Sequence, residues 1–120
     1  MVSIADVQKT YAIVLGAVLV LVGILGFVMD SPLLGLFGVN TAQNILHLVG
    51  GALGIYLGTK GDGKGYNMWT GIIAAVVAVL GFVPGTSTLL VNVFNINPAI
   101  SVLHAAIAAV SLGVAYGVKE

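Results

Sequence analysis

His47 and His104 are the only two histidines in this 120-residue chain, which has neither cysteine nor arginine. Imidazole therefore carries the most versatile chemistry available to it. A neutral ring can ligate haem or a chlorophyll-type pigment, relay a proton, or donate and accept a hydrogen bond between helices. The two rings are also equivalents of each other. Phe37, Asn40, Leu46 and His47 recur 57 positions later as Phe94, Asn97, Leu103 and His104. Tyr11, Gly16 and Leu25-Gly26-Phe27-Val28 recur 55 positions later as Tyr66, Gly71 and Leu80-Gly81-Phe82-Val83. The change of offset places a short insertion between Val83 and Phe94. The chain is thus read as a single domain, 1–120, built from two tandem repeats of about 9–59 and 64–118.

The elements that position the histidines must sit in lipid. The composition is 59% hydrophobic and 7% charged, with a mean hydropathy of +1.15. A soluble domain carries about 25% charged residues, so water cannot be the main solvent of this surface. Four stretches, about 9–29, 40–59, 66–84 and 97–118, approach the roughly 20 apolar residues that a spanning helix requires. Asp30-Ser31-Pro32 ends the first, since proline disfavours helix at the residue before it. Asn40 caps the second, Gly58 to Gly65 forms a polar turn, and Val83-Pro84-Gly85 ends the third. Asn97-Pro98 opens the fourth, with asparagine as cap and proline in the first turn. The first stretch is too long for a signal h-region and is read as a retained span. Lys9, Lys60, Lys64 and Lys119 fall on one side and the two opposite loops hold no lysine. Both termini are therefore expected in the cytoplasm, in a multi-pass protein of the cell membrane. Zero net charge and the lack of any basic patch argue against nucleic acid as a partner.

Steps of three and four along each span give a stripe of small or polar residues. These are Ala12, Gly16, Leu19, Gly23, Gly26; Asn40, Asn44, His47, Gly51, Gly54, Gly58; Asn67, Gly71, Ala74, Ala78, Gly81; and Asn97, Ser101, His104, Ala108, Ser111, Ala115. In lipid, small residues let helices approach, so the stripes are expected to face inward and the bulky aliphatics to face lipid. The fold class that follows is all-α: an integral membrane four-helix bundle of two same-orientation hairpins related by a pseudo-two-fold axis along the membrane normal. Each histidine then lies seven residues past its capping asparagine, about 10 Å below the outer end at 1.5 Å per residue. Gly23 and Ala78 are expected beside the rings, leaving room for them.

Three uses of His47 and His104 follow. They can bond with Asn44 and Ser101 as glue between helices. They can hold haem b or a chlorophyll-type pigment between them, with glycine clearing room; Asn44, Ser101, Gly23, Gly51, Gly54, Ala78 and Ala108 are the expected packing or lining residues. They can also mark a proton or small-solute path. No catalytic constellation is expected, because no acid shares their depth. No metal site is expected either, since Asp30, the nearest third ligand, has no counterpart in the second repeat. Gly61-Asp62-Gly63-Lys64-Gly65 lacks the spacing of a phosphate loop. Tyr11, Tyr66 and Trp69 are expected as anchors at the cytoplasmic boundary. The outer loops, with Phe37 and Phe94, are apolar enough to lie in the interface, fold back, or contact a partner.

The stretch Phe37-Gly38-Val39-Asn40 through Asn44-Ile45-Leu46-His47-Leu48-Val49-Gly50-Gly51, echoed from Asn97 to His104, resembles a family of small four-helix prokaryotic membrane proteins of unknown function. The resemblance implies four spans and no particular activity. The second copy departs from it at Ala105, Ala106 and Ala108, which stand where the first has Leu48, Val49 and Gly51. The expected function is that of a non-enzymatic structural, accessory or self-assembling membrane subunit, in a homo-oligomer or larger complex and without a cofactor. The alternatives are the bis-histidine haem or pigment protein and the pathway.

Overall fold

The computed structural model describes residues 4–29, 40–94 and 96–117. It is all-helical over these residues, with α1 Ile4–Val28, α2 Thr41–Lys60, α3 Lys64–Phe82, α4 Thr86–Phe94 and α5 Pro98–Gly117. Three helices are long and apolar enough to cross a membrane: α1 over Val7–Val28, α3 and α5. The count of four helices expected from sequence needs correcting, because the second outer loop is itself helical. Thr86 starts α4 by donating its hydroxyl to the carbonyls of Leu80 (2.8 Å) and Val83 (3.2 Å). The expectation for Phe37 and the first outer loop lies outside the described residues.

Asparagine caps α2 and α5 as its position in both repeats predicts. The side-chain oxygen of Asn40 accepts from the Gln43 amide at 2.9 Å, and that of Asn97 from the Ile100 amide at 3.0 Å. At the opposite end Lys9 donates to the Thr59 carbonyl at 3.0 Å, satisfying one of the last carbonyls of α2. The turn into α3 uses Gly63 at φ +76°, where a Cβ would also lie 2.6 Å from that of Ala12. Both facts require glycine there.

Antiparallel α1 and α2 pack along their length, and so do α3 and α5; between these pairs contacts are sparser. The α1–α2 seam is a close backbone approach. A Cβ at Gly16 would lie 2.5 Å from the Gly51 carbonyl, and one at Gly51 would lie 2.5 Å from the Gly16 carbonyl. Gly58 faces Ile13 and the Lys9 carbonyl, and Gly23 faces Leu48 and the Asn44 carbonyl. In the second pair Gly71 faces Leu112. The small residues therefore face inward: Ala12, Gly16, Gly23, Gly51, Gly54, Gly58, Gly71, Ala74, Ala78, Ala108 and Ala115 are all buried. Leu21 and Val76, at 55% and 52% exposed, point outward. Helices that lipid surrounds gain nothing from joining bulky apolar faces, and this inversion of the soluble pattern follows.

Between the pairs α1 touches α3 and α5, and α2 touches α3. No Cα of α2 comes within 8 Å of one of α5. The helices that carry the histidines are thus the far corners of the arrangement. α4 folds back across α3 and reaches α2. Phe94 at its end packs on Ile96 and Ile100 with Val77 and Leu80.

Candidate functional site

Polar side chains line the interior where the two helix pairs meet. At the end that carries Lys9, Asn67 donates to the backbone carbonyl of Gln8 (3.0 Å) and to its side-chain oxygen (2.9 Å). Gln8 in turn donates to the Val114 carbonyl at 2.7 Å. These three residues tie α1, α3 and α5 together. Gln8 and Asn67 are 2% and 0% exposed. Two amides so deep need hydrogen-bond partners, and here Asn67 finds them in Gln8.

Farther in, Tyr11 on α1 and Ser111 on α5 share a hydrogen bond of 2.5 Å between their hydroxyls. Tyr66 on α3 donates to the Gly50 carbonyl on α2 at 2.9 Å, and its ring fills the space beside Gly54. Each tyrosine therefore crosses to the second long helix of the other pair. Ser111 and Gly54, the positions they meet, are 57 residues apart, which is the spacing of the histidines. The expectation that Tyr11 and Tyr66 are boundary anchors is thereby corrected. Both point inward, whereas Trp69 is exposed as an anchor would be. The signal was present in the repeat: both copies keep a tyrosine at the equivalent place, and a belt residue needs no such register.

His47 stands one helical turn from Gly50, and His104 stands two turns from Ser111, on the same sides of α2 and α5. Both rings are half-buried, and in each the Nδ1 atom is buried with no hydrogen-bond partner. Asn44 and Ser101 lie one turn beyond them, at 2% and 1% exposed. Asn44 packs its amide on Gly26 and keeps its Oδ1 without a partner. Neither ring bonds to Asn44 or Ser101, so the expected pairing is not formed. The room expected at Gly23 for His47 is occupied instead by Leu48 and the Asn44 backbone. The seam between α1 and α2 is too close there to admit an imidazole. Gly51 packs in that seam, against Gly16 and Val20. Ala78 and Ala108 are buried on α3 and α5.

At the remaining end, Gln43 donates to the Phe94 carbonyl and Asn40 to the Val93 carbonyl, each at 2.9 Å. The fold-back of α4 thus becomes a cover fixed to the start of α2. Among the described residues no three histidine or acidic side chains gather where they could hold a metal ion.

A family model described as a domain of unknown function, DUF4383, matches residues 9–117. The chain belongs to this DUF4383 family. The match spans all the helices just described apart from the first residues of α1. No curated protein and no solved structure matches the chain. Membership in DUF4383 carries no assigned activity, so function has to be argued from the interior and the outer surface.

Proposed function

We propose that the protein is a multi-pass protein of the cytoplasmic membrane that acts, without catalysis, as a self-assembling or accessory subunit. In this reading α2 crosses with the other three long helices, and the two pairs are tandem hairpins of the same orientation. The reciprocal seating of Tyr11 on Ser111 and of Tyr66 beside Gly54 supports such a repeat. α2 is as long as α5, and its lower hydropathy comes from Gln43, Asn44, His47 and its glycines, which mostly face protein. The lysines at the start of α1, the end of α2 and the start of α3 share one end, and the positive-inside rule puts that end in the cytoplasm.

The observation that carries self-assembly is on the outer side of α5. Ala105, Ala109, Gly113 and Gly117 repeat every four residues and are all exposed. A Cβ at Gly113 or Gly117 would meet nothing within 4 Å. Small residues four apart form the seam by which membrane helices dimerise at close range. The inward glycines of this chain already have such partners. The outward row fits a second copy of α5 crossing it. The protein reconstituted in lipid nanodiscs is expected to show dimers or higher species by native mass spectrometry. Gly113→Leu with Gly117→Leu should return it to monomer. A wild-type protein that stays monomeric at every protein-to-lipid ratio would refute the reading.

A second reading is favoured by the two unpartnered Nδ1 atoms on helices that keep their distance: a haem or chlorophyll-type pigment held between His47 and His104. Two neutral imidazoles from opposite sides suit such a group. The absorption spectrum of protein purified from its native membrane tests it. A Soret band abolished by His47→Gln or His104→Gln supports the cofactor, and a colourless protein excludes it.

A further inference from the structure

We propose that the polar side chains stacked along the interior form a proton-conducting path across the protein, with His47 and His104 as its middle step. The proposal goes beyond self-assembly and holds for a monomer as well as an oligomer.

The path is read from successive levels. Gln8 and Asn67 form the first, against Val114. The hydroxyls of Tyr11, Ser111 and Tyr66 form the second. The histidines form the third, and Asn44 and Ser101 the fourth. Gln43 and Asn40, bonded to the end of α4, close the series. From Asn97 to Val114 on α5 this is about 26 Å at 1.5 Å per residue, against a hydrocarbon core of about 30 Å. The row of buried and half-buried polar groups therefore spans nearly the full core.

A second, independent observation is the set of atoms left over. Asn67 Oδ1, His47 Nδ1, His104 Nδ1 and Asn44 Oδ1 are buried and bond to no protein group. They occur at the first, third and fourth levels, not in one place. Buried polar atoms that the protein leaves unpaired are satisfied by water. Water at these atoms would join the levels into a continuous hydrogen-bonded chain.

The chemistry of the links selects the cargo. A neutral imidazole accepts a proton on its bare nitrogen and releases the one on its other nitrogen. Tyrosine and serine hydroxyls also accept and donate, and the asparagine and glutamine amides hold water in place. Only N–H and O–H bonds form and break, and the proton that enters from water at one end is matched by one released at the other. A sodium or potassium ion would need a shell of free oxygens. Here the Gly50 and Val114 carbonyls are already accepting. Ionisable groups inside membrane helices commonly mark proton relays.

The test is proton flux into liposomes that contain the purified full-length protein and an internal pH-sensitive dye, driven by a potassium gradient with valinomycin. Wild type is expected to acidify the lumen faster than protein-free liposomes. His47→Gln with His104→Gln keeps hydrogen-bonding groups of similar reach but cannot carry a proton, and flux should fall to the protein-free level. His47→Leu with His104→Leu, checked for helicity by circular dichroism, should give the same loss. The outward-facing Val76→Leu should conduct as wild type. Wild-type flux equal to that of empty liposomes would overturn the proposal. So would undiminished flux in the folded glutamine variant.

Discussion

Asn67 donates to both oxygens of Gln8, and Gln8 donates onward to Val114, so one buried residue holds three helices in register. Replacing it with leucine leaves the Gln8 oxygen buried and unpaired, which costs about 1–3 kcal/mol. Tyr66→Phe removes a single bond to a carbonyl and should cost nearer the roughly 0.6 kcal/mol typical between membrane helices. Unfolding in mixed micelles monitored by circular dichroism should therefore rank Asn67→Leu well below Tyr66→Phe. An equal or reversed order would show that the amide cluster is not what joins the pairs. The sequence made the histidines conspicuous because there are only two. Gln8 and the tyrosines were legible only as polar or boundary residues. Their direction depends on which neighbour lies beside each helix, and periodicity within one helix does not contain that.

At the scale of the element, the seams decide which glycines matter. Gly16 and Gly51 face each other's backbone so closely that even a methyl group must push α1 and α2 apart, whereas Gly50 has nothing within 4 Å of its Cβ position. Gly16→Ala and Gly51→Ala should each lower the thermal midpoint in detergent, in line with the about 1–3 kcal/mol of overpacking. Gly50→Ala should leave it unchanged or raised, because alanine is the better helix former. Equal effects at the three positions would contradict the α1–α2 seam. The long helices and their asparagine caps could be read in advance, since lengths, apolar runs and cap residues are local signals. α4 could not. Nine residues make a marginal helix in isolation, and this one depends on the Thr86 hydroxyl at its start and on Asn40 and Gln43, which hold its end.

At the scale of the whole molecule the outside is bulky and apolar and the inside is small and polar, the inverse of a soluble domain. In the proposed membrane topology its two ends lie in different compartments. Gly65, in the first turn of α3, and Thr88 on α4 are both exposed and lie at opposite ends. Cysteines at these two sites should react with an impermeant maleimide from opposite faces of a sealed vesicle. Gly63 is unsuitable for this purpose because its backbone conformation and its contact with Ala12 exclude a side chain. Reaction of both cysteines from one face would refute four crossings.

The two helix pairs face each other through reciprocal tyrosines around a polar interior. The chain has no cysteine of its own, so paired substitutions read proximity directly. Tyr11→Cys with Ser111→Cys, and Tyr66→Cys with Gly54→Cys, should each be bridged within one chain by a short bis-thiosulfonate in membranes. The outward pair Leu21→Cys with Val76→Cys should not. Bridging of neither inward pair, or of the outward pair alone, would contradict the account.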